Sequence, residues 1–245
     1  MNLNYKQSDS EVIVYDADLI DQPTPALFDP GSWQEQSAVR SIAKGRGNTL
    51  VLDTEFGPAV LRAYQRGGWA RLLSSDRYLF TGFERSRALL EVRLLARLWK
   101  QGLPVPQPLA GLCVRQGLTY RAALLTREIP EAMTLADCLG ELSQTDPAWT
   151  QVGACIRKFH EASVVHADLN ARNILLADEG DKGLSVYLID FDRSRAGKIS
   201  EAAARANLSR LHRSLLKQWP NPDSGDPAAC WKRFLAGYNT VDPAD

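Results

Sequence analysis

The sequence predicts an α+β protein of two lobes, a β-rich front and a mainly helical back, and three patterns predict it. Apolar and polar residues alternate between Ser37 and Gly68, with glycines at the punctuation points, as in a meander of short strands. One helical period runs from Arg85 to Gly102. Beyond Glu131 helical spacing dominates, apart from apolar runs on either side of residues 166–173 and before Asp190. A chain of 245 residues can bury one core or two small ones.

Taken in order, "EVIVYDADLI" (Glu11 to Ile20) is strand-like, and Pro23, Pro25 and Pro30 mark a loop after it. The glycine-punctuated meander follows. In "RSRALLEVRLLARLWKQG", Leu89, Leu90, Leu94, Leu95 and Leu98 are expected on one broad helix face; Gly102 stops the helix and Pro104 follows. "PVPQPLAGLCVRQGLTYRAALLTREI" returns to strand, with Gly117 as a turn. The lobes are expected at residues 1–128 and 133–245, joined by a short linker over 129–132. Thr134, with Asp137 three positions on, opens a helix. "PAWTQVGACIRKFHEAS" is a second helix. "GLSVYLIDFD" is a strand, and two helices fill the chain from about Ser200.

Lys and Arg together equal Asp and Glu, 29 each, so bulk attraction to nucleic acid is not expected. Apolar runs are too short to span a membrane, and the N-terminal stretch lacks the basic and apolar regions of a secretory signal. Four widely spaced cysteines, with no CxxC pair, read as reduced thiols. The expected address is therefore the cytoplasm, with membrane contact only from the surface.

The chemistry lies in "VVHADLNARNILL" (Val164 to Leu176) and "YLIDFDRSR" (Tyr187 to Arg195). Polar residues that cannot help a core interrupt apolar runs there. Asp168 is followed by Asn173 five residues on, and Asp190 ends the next apolar strand. An amide oxygen beside an acid makes a hard-oxygen site suited to magnesium. That leaves Asp168 to orient or deprotonate an attacking hydroxyl. Phosphoryl transfer from ATP needs this division, because the protein mainly positions the nucleophile and neutralises phosphate charge.

"HADLNARN" resembles the H-x-D-x-x-x-x-N catalytic loop of protein-kinase-like enzymes, and "IDFD" their metal-binding D-F-G. The resemblance implies a two-lobed protein-kinase-like fold and further roles. Gly45, Arg46 and Gly47 form a shortened turn over the ATP phosphates. Arg62, ending "AVLR", takes the place of the strand lysine, with Glu91 as its ion-pair partner. In "LLTREIPEAMTL", Glu128 and Ile129 lie in the linker whose backbone meets adenine. Asn173 and Asp190 hold Mg2+. Arg62 has a second reading as an exposed strand arginine, and His166 reads as a buttress of the loop rather than a base. Asn170 stands where many protein kinases carry a lysine, placed for the transferred phosphate or the acceptor. Ala167 and Asp192 replace an arginine and a glycine of the protein-kinase pattern, and no A-P-E motif follows, so a peptide substrate is not expected.

"VLRAYQRGG", "YLFTG", "RSRALLEVRLL", "GLPVPQP", "HADLNARNILL", "IDFDRSR" and "NLSRLHRSLLK" are similar to stretches of the bacterial Kdo kinases, within the lipopolysaccharide kinase group. That similarity implies transfer of the ATP γ-phosphate to the 4-hydroxyl of a 3-deoxy-D-manno-octulosonic acid (Kdo) residue on a lipid A precursor, Kdo-lipid IVA. It also implies peripheral contact with the cytoplasmic face of the inner membrane. A core heptose kinase, a small-molecule phosphotransferase and a scaffold without turnover remain as alternatives. Between Arg193 and Lys217 stand seven Lys or Arg against one acid, Glu201. That cluster reads either as a solvated face or as a surface for an anionic glycolipid. Arg66, Trp69 and Arg71 could add to it from the front lobe.

Overall fold

The computed structural model describes residues 1–42, 49–64, 78–220 and 225–240. The chain divides into two compact units, one of Met1–Gln101 with Pro106–Glu128, the other of Gly102–Val105 with Ile129–Asp245.

The first unit holds β1 (Leu3–Gln7), β2 (Glu11–Asp16), the short α1 (Pro30–Glu35), β3 (Val39–Ile42), β4 (Thr49–Leu52), β5 (Ala59–Ala63), β6 (Tyr78–Leu79), α2 (Arg87–Lys100), β7 (Pro108–Gln116) and β8 (Thr119–Arg127). The strands form one antiparallel sheet in the order β1-β2-β7-β8-β5-β4-β3, with β6 also on β8. Burial explains the order. "VIVYD" of β2 is buried residue for residue, so β2 lies inside the sheet, whereas β1 is mostly exposed and sits at its edge. No apolar alternation announces β1 in the sequence, and it was not expected there. Ile13, Leu50, Leu52, Leu61, Leu109 and Leu125 from the sheet, with Phe28 and Trp33, make the core.

The face of α2 differs from the expected one. Ala88, Leu89, Glu91, Val92, Leu95, Ala96 and Leu98 are buried, while Leu90 is 52% exposed and Leu94 only partly covered. The leucine count misplaced the stripe because it left out small residues and a buried acid. With Glu91 inside, the buried side turns away from Leu90.

The second unit holds β9 (Met133–Thr134), the single-turn α3 (Leu135–Cys138), α4 (Ala148–Glu161), β10 (Val164–Val165), β11 (Ile174–Asp178), β12 (Leu184–Leu188), β13 (Arg195–Ala196), α5 (Glu201–Gln218) and α6 (Pro227–Asn239). Thr134 and Ser200 cap α3 and α5 by accepting from the amides of Asp137 and Ala203. Helices α4 and α6 cross at two glycines. A Cβ on Gly153 would lie 2.1 Å from the Phe234 carbonyl oxygen, and one on Gly237 would lie 2.0 Å from that of Thr150. Only a residue without a side chain permits that approach. Strands β11 and β12 form an antiparallel hairpin with Ile174 opposite Leu188, and β9 pairs with β11 on its other side. The Leu188 amide donates to Pro104 O at 3.0 Å, which ties the 102–105 segment to this unit.

All four cysteines are free and buried. Burial pushes the Cys155 thiol up to about 12, so it is inert. Among the described residues no helix is long and apolar enough to cross a membrane.

Candidate active site

The loop between β10 and β11 is built around His166, which is buried. The Asp168 amide donates to His166 Nδ1 at 3.2 Å, so the ring proton lies on Nε2, which donates to the Ile189 carbonyl at 2.9 Å. His166 thus links the two loops of the site and has no nitrogen left to act as a base. Its ring packs edge-on against Phe191 at 4.8 Å, and Phe191 in turn lies 5.7 Å from Phe159 of α4. Ser194 accepts from the Ala167 amide at 2.9 Å. From α5, Asn207 Nδ2 donates to His166 O at 2.8 Å and Ser214 Oγ accepts from the Ala171 amide at 3.1 Å.

Asn173 joins the three residues singled out in the sequence. Its Nδ2 donates to Asp168 O at 2.9 Å, and its own carbonyl accepts from the Ile189 amide at 3.0 Å, one residue before Asp190. The hairpin register continues past Ile174–Leu188, so Asn173 faces Ile189 and Asp190 emerges beside it. Because Nδ2 must face the carbonyl it donates to, Oδ1 is the end turned from Asp168. Asp190 holds φ +64°, a left-handed backbone at a non-glycine residue, and Arg193 does the same at +62°. Such strain persists only where surrounding bonds impose it.

An amide oxygen and one carboxylate, both hard donors, fit a magnesium ion that keeps waters and phosphate oxygens in its remaining positions. Among the described residues no group of three or more His, Cys, Asp or Glu could hold a metal alone. Two protein donors leave most positions of such an ion to waters and phosphate oxygens.

The Asp168 carboxylate is half-exposed, and Arg210 Nη1 of α5 lies 3.8 Å from its Oδ1. Asn170, expected to be placed for the transferred phosphate or the acceptor, is also engaged within the loop. Its Nδ2 donates to Asp168 O and its Oδ1 accepts from the Arg172 amide, both at 2.9 Å, so it caps the 3-10 turn Ala171–Asn173. A short amide satisfies that turn better than it reaches outward.

In the first unit, Arg62 on β5 donates to Glu91 Oε1 at 2.6 Å, and the Glu91 side chain is 2% exposed. This disposes of the exposed-arginine reading. Tyr64 was not foreseen. Its hydroxyl donates to the other Glu91 oxygen, and its ring lies under the Arg62 guanidinium at 4.8 Å. Tyr64 lies one residue past the end of β5, two after Arg62, and nothing in the sequence marks it out. Glu128 pairs with Arg40, and its amide donates to Pro58 O at 3.0 Å. Ile129, the next residue, opens the second stretch of the other unit. Gly45, Arg46 and Gly47 lie outside the described residues, as do Arg66, Trp69 and Arg71.

A family model described as the lipopolysaccharide kinase (Kdo/WaaP) family matches residues 31–238. The 3-deoxy-D-manno-octulosonic acid kinase of Photobacterium profundum is 40% identical over 234 residues, covering 96% of this chain and 97% of its own length. The enzyme of that name from Xanthomonas oryzae pv. oryzae is 42% identical over 227 residues, covering 92% and 88%. Among solved structures, WaaP in complex with acyl carrier protein superposes with a TM-score of 0.52 at 16% identity, over 89% of this chain and 86% of that one. The Rio2 kinase of Chaetomium thermophilum, solved with ADP, Mg2+ and phosphoaspartate, gives 0.50 at 16% identity, over 82% and 64%. At that identity the structures speak for the fold alone, and the fold is kinase-like. With a kinase-like fold, relatives matched along nearly its whole length and a family model covering most of it, the chain belongs to the lipopolysaccharide kinase (Kdo/WaaP) family, and it is a phosphotransferase that acts on a sugar.

Proposed function

We propose that the protein transfers the γ-phosphate of ATP to the 4-hydroxyl of Kdo on a lipid A precursor, Kdo-lipid IVA. Asp168 orients the acceptor hydroxyl and receives its proton. The acceptor oxygen forms a bond to the γ-phosphorus as the bond from that phosphorus to the bridging oxygen breaks, and ADP leaves. Asn173 and Asp190 hold magnesium, which when bound neutralises charge on the phosphates. Arg62, kept in place by Glu91 and Tyr64, holds the phosphates, with Gly45, Arg46 and Gly47 above them. The Glu128 carbonyl and the Ile129 backbone meet adenine. Residues 1–128 serve as the nucleotide-side lobe, 129–132 as the hinge and 133–245 as the catalytic lobe. The protein works at the cytoplasmic face of the inner membrane, held peripherally by the basic residues after Asp190.

One observation carries this reading. Asn173 binds the Asp168 carbonyl with its side chain and the amide before Asp190 with its backbone. Those two bonds tie the Asp168 backbone, Asn173 and the residue before Asp190 together at one end of one hairpin, which supports assigning the hydroxyl and the metal to these three side chains. The relatives named as Kdo kinases support the acceptor. The test is incubation of a Kdo-bearing lipid A precursor with ATP and magnesium, read by mass spectrometry. A gain of one phosphate on the Kdo residue is the expected result. Phosphate appearing on a core heptose but not on this lipid would overturn the assignment.

A further inference from the structure

Asp168 meets its surroundings in two ways. Its backbone carbonyl accepts from the side-chain amides of Asn170 and Asn173, so that group belongs to the loop. Its carboxylate is turned to α5, where Arg210 stands 3.8 Å away, with the two side chains 51% and 50% exposed. That gap is beyond hydrogen-bond reach. A five-donor guanidinium and a carboxylate so close, yet not bonded, both keep hydrogen-bonding capacity for a third group.

The place of Arg210 is built rather than incidental. Three residues before it, Asn207 donates to His166 O at 2.8 Å; four residues after it, Ser214 accepts from the Ala171 amide at 3.1 Å. Helix α5 is thus bonded to the catalytic loop on both sides of Arg210. Asn170 is a neutral amide bonded within the loop and brings no charge to Asp168; a cation beside that carboxylate comes from α5.

A hydroxyl that is to give its proton to Asp168 has to approach the carboxylate, and so approaches Arg210. The geometry points to Arg210 as the subsite for the carboxylate of a sugar-acid acceptor, gripped while Asp168 takes the hydroxyl. This deepens the acceptor assignment above and rests on it. An octulosonic acid carries a carboxylate and hydroxyls on one small ring. The planar guanidinium fork matches a carboxylate through two parallel hydrogen bonds. With a neutral sugar, Arg210 has the nearby Asp168 as its counter-charge and draws the carboxylate off the hydroxyl.

The test uses two soluble acceptors, the methyl glycoside of Kdo and its carboxamide, with wild type, Arg210→Ala and Arg210→Lys. Wild type is expected to prefer the acid by about 10- to 100-fold in kcat/KM. Arg210→Ala should lose that preference, and Arg210→Lys should recover part of it. Nucleotide affinity should stay unchanged in both variants. An equal loss by Arg210→Ala on both acceptors would overturn the inference, since the cation would then serve the transferred phosphate or the loop. So would an undiminished preference. Should wild type bind ATP yet phosphorylate neither glycoside nor the Kdo-bearing lipid, the acceptor assignment itself falls and carries this inference with it.

Discussion

Two ion pairs, one in each unit, differ in almost every physical respect. Arg62 and Glu91 meet at 2.6 Å with the acid 2% exposed, and Tyr64 closes the arrangement from the other oxygen. Arg210 and Asp168 stand 3.8 Å apart, both half in solvent. The first is a finished structure. A buried carboxylate without its partners is costly, so the sheet and α2 keep the pair made whether or not a ligand is present. The second fixes everything except the charged ends. Histidine, asparagine and serine side chains pin the backbone around Asp168, and the carboxylate itself is left half in solvent. Rigidity and availability are thus placed in different atoms of the same site.

Breaking the second region at its charge should give the largest effect. Asp168→Asn is expected to lower phosphotransfer by about 10²- to 10⁴-fold. Its melting temperature should stay near wild type, because the carboxylate is half-exposed and unbonded. Steady-state rates and a thermal melt check both. Breaking the first region reverses the pattern. Glu91→Ala removes the buried acid to which both Arg62 and Tyr64 donate and should cost about 3–5 kcal/mol of stability. That is a fall in melting temperature on the order of 10 °C. A Glu91→Ala protein that melted like wild type would show that the pair is not the fixed element described.

A smaller effect tests how the loop is held. His160 of α4 bonds Tyr238 at 2.7 Å and Asn207 at 3.1 Å, and Asn207 holds His166 O. Burial lowers the His160 pKa below its ordinary 6.5. The unfolded chain therefore takes up this proton first as pH falls. The stability tied to neutral His160 is complete above about 6.5 and is lost as pH drops from there through the folded value. Melting curves between pH 7.5 and 5 should fall more steeply for wild type than for His160→Gln. Parallel curves would contradict this.

Much of this was legible in the sequence, for definite reasons. "HADLNARN" stands out because polar residues interrupt apolar strands, and strands of that composition have few other uses for them. Of the meander expected over Ser37 to Gly68, β3, β4 and β5 pair in antiparallel order, and of its punctuating glycines Gly57 lies among the described residues. Arg62 and Glu91 lie 29 residues apart, and no local pattern joins them; only the family resemblance did. Tyr64 was invisible because an aromatic residue at a strand end is ordinary. The α2 stripe was misdrawn because leucines alone were counted, when the buried acid and alanines set the face. Edge strand β1 carries almost no buried residue and so no periodic signal. Arg210 was one of seven cations in a basic stretch. Only the fold shows that it faces Asp168.

The central claim is a division of labour, with Asn173 and Asp190 for the metal and Asp168 for the acceptor. It is tested most directly by nucleotide-dependent Mn2+ binding, followed by electron paramagnetic resonance, in wild type, Asp190→Asn and Asp168→Asn. Asp190→Asn should lose ATP-dependent Mn2+ binding by about tenfold or more, while Asp168→Asn should bind it like wild type and transfer phosphate about 10²- to 10⁴-fold more slowly. Loss of metal binding in Asp168→Asn equal to that in Asp190→Asn would contradict the account.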